Sequence, residues 1–149
     1  MKKRIIPDVI GKQELVLVSG ETTVRDAAKL MASRRIGAVM IGEGQTLLGI
    51  FTERDLMNKV VAPGRDPNTV KLSDVMTAKP DTIKPEETAG DALQRMQKGG
   101  YRHLPVVENG RLVGMVSVRD IYAAVLDEVT DELQDREAFI QGSAGYGLN

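Results

Sequence analysis

The chain of 149 residues has no cysteine, no tryptophan and a single histidine, His103. Without thiols there is no disulfide scaffold, no thiolate metal site and no cysteine nucleophile. One histidine also excludes a metal site built on several. Aromatic residues make up 3 % of the chain, so its core must be aliphatic, and single-stranded nucleic acid finds no stacking platform. Neither sign of charge dominates: 20 Lys and Arg stand against 21 Asp and Glu. That balance lacks the basic surplus of a nucleic-acid binder. Long apolar runs are missing too, the longest being of strand length and far below the roughly 20 residues that span a bilayer. Met1-Lys2-Lys3-Arg4-Ile5-Ile6 opens like the start of a secretory signal, but Pro7 and Asp8 end its apolar stretch at once. With no export signal and no thiols, the expected compartment is the cytoplasm, with no membrane and no nucleic-acid partner. Hydrophobic residues are nevertheless 42 % of the sequence, enough to fill one ordinary domain or two small ones that share a core.

What the chain does contain is itself, twice. Shifted by about 65 positions, its two halves align without a gap. Thr23 falls on Thr88, Asp26 on Asp91, Ala27 on Ala92, Met31 on Met96, Gly49 on Gly114, Arg54 on Arg119 and Asp55 on Asp120. Each copy has the same local pattern. Val24, Ala27, Ala28 and Met31, like Ala89, Ala92, Leu93 and Met96, recur at the spacing of one helix face. A short apolar run follows (Ala38 to Ile41; Leu104 to Val107), then a polar turn, then a returning strand (Leu47 to Phe51; Leu112 to Val116). Asn109-Gly110 is a strong hairpin signal. A second helix then begins, Asp55 to Val61 or Asp120 to Glu128, and a short strand is expected before each unit, at Leu15–Val18 and Asp81–Ile83. One such unit cannot bury its own sheet face, whereas two packed sheet to sheet can. The copies are placed at residues 8–62 and 77–126, with a polar linker at 63–76 and an acidic helix and frayed tail at 127–149. A short helical turn is expected over Lys71 to Met76, and the tail from Gly142.

The strand-to-helix corner of each copy carries the chemistry. In Gly49-Ile50-Phe51-Thr52-Glu53-Arg54-Asp55 and Gly114-Met115-Val116-Ser117-Val118-Arg119-Asp120, a hydroxyl leaves a strand and an aspartate follows one helical turn later. Two uses of that spacing compete. In a capping box the hydroxyl takes the third amide of the helix and the carboxylate reaches back. In a ligand site the helix N-terminus attracts an anion, the hydroxyl donates to a phosphate and the carboxylate accepts from a ribose diol. A carboxylate folded back as a cap is not free for a ribose, so the two partly exclude each other. His103 is either a packed, hydrogen-bonded residue or a phosphate contact. Arg54 and Arg119 are either solvated surface charges or phosphate contacts. No phosphate-binding Gly-rich loop with Lys-Ser/Thr, no Gly-x-Ser-x-Gly elbow and no base paired with a nucleophile is present, so no enzymatic activity is expected.

Taken in order, these pieces resemble the cystathionine-β-synthase (CBS) domain, which occurs in tandem as the Bateman module. The carriers are Thr23-Val24 with Ala27 and Met31, the Gly49 to Asp55 segment, Asp74-Val75-Met76-Thr77, Arg102-His103-Leu104-Pro105-Val106-Val107 and the Gly114 to Asp120 segment, and together they cover most of the chain. The resemblance implies an α+β fold of tandem βαββα repeats, packed sheet to sheet with pseudo-two-fold symmetry. It implies a regulatory module that binds an adenosine-containing ligand in clefts between the copies. AMP is foremost, with ADP, ATP, NAD(H) or S-adenosylmethionine as further candidates and no metal required. Sensing of energy or redox state, a homodimer and an unidentified protein target follow from the same resemblance. Carried over residue by residue, it implies a first site from Thr52 and Asp55 with Thr77, Lys79, Ile83, Tyr101, Arg102 and His103. A second site is implied from Ser117 and Asp120 with Ile36, Gly37, Ala38 and the segment before Val18. Because Arg102 and His103 align with the uncharged Gly37 and Ala38, the first site is expected to take the more highly charged ligand. The rival expectation is an interaction module whose clefts stay empty.

Overall fold

The computed structural model describes residues 1–147. In the first half, β1 (Leu17–Val18) is followed by α1 (Val24–Arg34), the hairpin β2 (Ala38–Glu43) and β3 (Thr46–Thr52), and the short helix α2 (Glu53–Asp55), which runs on as a wider helical turn over Leu56–Val61. A connecting helix α3 (Leu72–Val75) and strand β4 (Thr77–Ala78) lead to the second half. There α4 (Ala89–Gly99), the hairpin β5 (His103–Glu108) and β6 (Arg111–Ser117), and α5 (Val118–Gly147) repeat the order. The strands of the first sheet lie in the order β1-β2-β3-β4, with β1 parallel to β2 and the other pairs antiparallel. The second sheet is the β5–β6 hairpin, and Ile83 bridges Val106 beside it as Val18 pairs with Ile41 in the first. Only that single bridge forms where a strand over Asp81–Ile83 is expected. Both hairpins change register at the same place, Ile41/Gly42 and Val106/Val107. The two sheets meet along β3 and β6.

Local chemistry explains these boundaries. Thr23 and Thr88 cap α1 and α4 by accepting from the backbone N–H of Asp26 and Asp91, which satisfies one of the amides a helix start leaves without a partner. Asn109 and Gly110 both take positive φ, 51° and 78°, as the tight turn that matches strand twist requires. In β2, Val39 and Ile41 face one side and Ala38 and Met40 the other, and all four are buried. A strand covered on both faces is accordingly apolar throughout.

The single shared core expected from the repeat is not what forms. There are two clusters, one per half. Val24, Ala27, Met31, Val39, Ile41 and Phe51 pack with Val70, Leu72 and Val75 in the first. Ile83, Ala89, Ala92, Met96, Leu104, Val106, Val116 and Ile121 pack with Ile5 and Ile10 in the second. Each half is thus completed by the segment that precedes the other half in sequence. The backbone bonds correspond pair by pair. Leu72 N–H donates to Thr22 O and Val24 N–H to Val70 O, both at 2.9 Å, while Ile5 N–H donates to Glu87 O and Ala89 N–H to Lys3 O, both at 2.8 Å. Residues 63–76 are therefore more than a polar linker, because Val70, Leu72 and Val75 are core residues. β4 pairs with β3 at Ile50–Thr77. In the second half no strand takes that place. Instead the side-chain amide of Gln13 donates to Met115 O at 3.2 Å and accepts from Met115 N–H at 2.9 Å.

At the C-terminus, the separate acidic helix expected after residue 127 is the continuation of α5, a single helix of 30 residues. The frayed tail expected from Gly142 is helical in its backbone to Gly147, and its last two residues, 148 and 149, lie outside the described residues. Among the described residues, no helix is long and apolar enough to cross a membrane.

Candidate functional site

A cleft of about 1270 Å³ opens between the halves. Its floor is the start of β2 with the residues before it, Ile36, Gly37 and Ala38; one wall is the segment Gln13 to Val16, and opposite stands the corner where β6 turns into α5, Ser117 to Asp120. Met31, Ala32 and Arg35 from the end of α1, Arg102 and His103 from the start of β5, and Glu53 and Leu56 from the first half's corner also line it. The residues expected at the second site are thus brought together. The pairing of Arg102 and His103 with Thr52 and Asp55 is not observed: both line the Ser117–Asp120 cleft, and the register places His103 directly opposite Ser117. Glu53 and Leu56 of the first half line the same cleft, so the placement of Arg102 and His103 does not rank the two sites by charge.

Both corners are capping boxes. Thr52 N–H and Oγ1 donate to Asp55 Oδ2 at 2.9 and 3.2 Å, and Asp55 N–H returns a bond to Thr52 Oγ1 at 3.2 Å. Ser117 N–H and Oγ donate to Asp120 Oδ2 at 2.8 and 2.9 Å, and Asp120 N–H returns a bond to Ser117 Oγ at 3.2 Å. The cap consumes one carboxylate oxygen in each half, and the other oxygen distinguishes them. Asp55 Oδ1 is 3.2 Å from Lys59 Nζ, which also donates to Val75 O at 3.1 Å and to Thr77 Oγ1 at 3.5 Å. Among the described residues no side chain or backbone donor reaches Asp120 Oδ1, and Asp120 lines the cleft. The capping and ligand uses of the motif are therefore compatible at Asp120, one oxygen to each, and both oxygens are engaged at Asp55.

Both signs of charge line the cleft, Arg34, Arg35, Arg102 and Arg119 with Glu14, Glu53 and Asp120. Arg35, Arg102 and Arg119 line the cleft, and none of them makes an ion pair among the described residues. Arg34, also on the rim, lies 3.7 Å from Glu14. The positive end of a long helix, α5, adds to the cations, although Val118 N–H donates to Arg102 O and Asp120 N–H to Ser117 Oγ. Burial is the main influence on His103 and holds its imidazole below the ordinary 6.5; Arg102 acts in the same direction, and Glu53 and Asp120 oppose it. His103 is packed close to Gly37, where an added Cβ would come within 3.4 Å of its ring and 3.1 Å of Glu53 Oε1. Gly37 therefore keeps the centre of the cleft narrow without filling it.

The remaining candidates lie elsewhere. Thr77 reaches the first corner only through Lys59. Ile83 is a core residue with 1 % exposure, and its N–H and carbonyl are bonded to Pro105 and Val107. The Tyr101 hydroxyl donates to Asp81 in a separate groove over α4, and burial, with that carboxylate, raises it to about 12. Lys79, whose N–H donates to Leu48 O, follows β4 and does not line the cleft. Arg54 donates to Gly100 O at 2.9 Å, tying α2 to the end of α4, so of the two paired arginines only Arg119 lines the cleft. Sequence reasoning passed over Lys59, Glu53, Arg35 and Gln13. For Lys59 the signal was present, since the repeat aligns it with Ala124. The others belong to segments whose contacts depend on how the halves meet.

The CBS domain family model matches residues 8–62 and 72–127. Over 131 residues the chain is 40 % identical to the CBS domain-containing protein CBSX3, mitochondrial, of Arabidopsis thaliana, a match that covers 85 % of this chain and 63 % of that protein. The chain spans 22 % of the length of a second Arabidopsis thaliana relative, CBSCBSPB2. A solved CBS-domain containing protein from Agrobacterium tumefaciens superposes with a TM-score of 0.74 at 32 % identity, over 80 % of this chain and 98 % of that one. A CBS domain protein from Pyrobaculum aerophilum, solved complexed with AMP, superposes with a TM-score of 0.73 at 25 % identity, over 85 % and 98 % of the two chains.

Proposed function

The chain belongs to the CBS-domain family, as a tandem pair, and on that premise we propose that it is a regulatory module whose Ser117–Asp120 cleft binds an adenine nucleotide, AMP foremost. The observation that carries this reading is the second oxygen of Asp120. It faces a cleft lined by three arginines that make no ion pair among the described residues and by the N-terminus of α5. A ribose hydroxyl donates to Asp120 Oδ1 while Oδ2 remains in the cap. The phosphate lies toward Arg102, Arg119 and the positive end of α5, and the base rests on the aliphatic side chains of Ile36, Ala38 and Met31. AMP bound to a solved neighbour supports this ligand class; ADP, ATP and NAD(H) share its ribose and phosphate and are the alternatives. No reaction is assigned to the module. It acts by linkage: the nucleotide shifts a conformational or assembly equilibrium by its difference in affinity for the two states. Energy or redox state is thereby passed to a protein target in the cytoplasm.

A homodimer belongs to the same reading. Met57 and Val61 on the first half, and Tyr122 and Leu126 at the equivalent positions on the second, are exposed large apolar side chains. Such a pair repeated across a pseudo-two-fold axis suits the same face of a second copy.

The rival reading is that the clefts stay empty and that Thr52 and Ser117 serve as caps alone, a role their hydrogen bonds already fill. Thermal shift with AMP, ADP, ATP, NAD(H) and S-adenosylmethionine separates the two. A bound nucleotide stabilises the fold by about 2.7 kcal/mol at a hundredfold excess over its Kd, and no response to any of them overturns the proposal.

A further inference from the structure

The two corners were made alike by duplication and differ at one decisive position. Lys59, one turn beyond Asp55, has Ala124 as its counterpart one turn beyond Asp120. Its ammonium has three donors and three oxygens of the protein around it: Asp55 Oδ1 at 3.2 Å, Val75 O at 3.1 Å and Thr77 Oγ1 at 3.5 Å. These come from three separate elements, α2, α3 and β4, so the ammonium of the partly exposed lysine, 40 % of whose side chain is accessible, is held by more than one carboxylate. Asp55 is mostly buried, with 14 % of its side chain exposed. With Oδ2 in the cap and Oδ1 on the ammonium, Asp55 has no oxygen left for a diol. At the other corner Ala124 offers no charge, and Asp120 keeps Oδ1 open to the cleft.

We infer that Lys59 is the residue that makes this module a one-site binder: its ammonium occupies the ribose position of the first half, and removing it uncovers a second nucleotide site at Thr52–Asp55. The inference rests on the proposed nucleotide cleft and adds the number of sites and the side chain that sets it. A charge brought in by the protein itself is a stronger block than an apolar plug. A ligand must displace it from a carboxylate and two further acceptors, and must leave the ammonium either solvated or paired again.

The test is calorimetric titration with AMP of the full chain and of Lys59→Ala, Lys59→Met, Asp120→Asn and the double variant Lys59→Ala/Asp120→Asn. Lys59→Met keeps the aliphatic stem, and melting without ligand shows that each variant is folded. The expected stoichiometry is one AMP per chain for the unmodified protein and two for both Lys59 variants. Asp120→Asn is expected to lose most of its binding, and the double variant to regain one site. Lys59 variants that still bind one AMP with unchanged affinity overturn the inference while leaving the cleft proposal intact. Lys59 variants that lose binding also overturn it, because Lys59 would then be a ligand contact. Binding by the Lys59 variants alone overturns the cleft proposal and, with it, the one-site count, and no binding by any form overturns both.

Discussion

Replacing Asp120 with Asn and, separately, Asp55 with Asn tests which half carries the ligand, with the same chemical change in the same local structure. Asn keeps the size of the side chain and one acceptor. Each variant therefore weakens its capping box equally, by about 1 kcal/mol or less. The difference lies in the second oxygen. At Asp120, the hydrogen bond from a ribose hydroxyl to a charged acceptor contributes about 1.5–3 kcal/mol. Its loss weakens AMP binding roughly 10- to 150-fold, at 1.4 kcal/mol per factor of ten. At Asp55 that oxygen is already held by Lys59, so affinity should stay within about twofold, under ~0.4 kcal/mol. Isothermal titration gives the affinities, and urea denaturation without nucleotide confirms that both variants are folded, Asp55→Asn losing its ion pair with Lys59 in addition to the cap. An Asp55→Asn protein that loses AMP as severely as Asp120→Asn would refute the reasoning, since it would show that the ammonium yields to the ligand. Equal affinities in all three proteins would refute it from the other side.

Four further outcomes are expected. Ile5→Ala, which empties a fully buried position in the second half's core, should cost about 2–5 kcal/mol in chemical denaturation, and amide exchange should rise around Ile121 more than around Phe51. Leu126→Glu, on the exposed apolar pair of α5, should shift the particle mass measured by light scattering from dimer to monomer; an unchanged mass removes this face from the interface. Arg102→Ala should weaken AMP roughly tenfold through the loss of a charge-assisted contact and leave adenosine binding unaltered, a contrast that titration of both ligands reads directly. Burial holds His103 below its ordinary 6.5 in the fold, so the unfolded chain takes up the proton first. Its stability contribution is complete above pH 6.5, declines as pH falls below that and levels off beneath the depressed value. His103→Gln should flatten that segment of a stability-against-pH curve.

The duplication, the hairpins and both strand-to-helix corners were legible in the residues, because each rests on local rules such as helix spacing, Asn-Gly turns and hydroxyl–carboxylate caps. The site was legible in outline only. Thr23–Asp26, Thr52–Asp55, Thr88–Asp91 and Ser117–Asp120 have the same spacing and all cap helices. Nothing in the motif tells which of them faces a cleft. Aligning two copies says which residues are equivalent and not which lie across the axis from one another, so it does not show that Arg102 and His103 share a cleft with Ser117 and Asp120. His103 is close enough to Gly37, a residue of the other half, to limit what fits there. The core was misjudged for a similar reason: Ile5 and Leu72 fall outside the aligned repeats, and their burial is decided by which half each one reaches. The continuity of α5 was within reach, since no glycine or proline interrupts the sequence from Val118 to Ile140. The acidic run was taken for a new element when it is a change of surroundings along one helix.

The exchanged segments also set an order of events during synthesis. A growing chain has every residue of the first cluster once Val75 has been added, so that half can close early, in keeping with the general tendency of N-terminal units to fold first. Ile5 is made before nearly all of them, yet its partners Leu104, Val116 and Ile121 are made last. Until then it is an apolar side chain with no place to go, separated in sequence from its neighbours by the first half. Ile5 and Ile10 are thus made before the first cluster and packed only after it. The loop they close is nearly as long as the chain, and long-range closure is the slow kind. The N-terminal segment is a latch that fastens only after the second half exists.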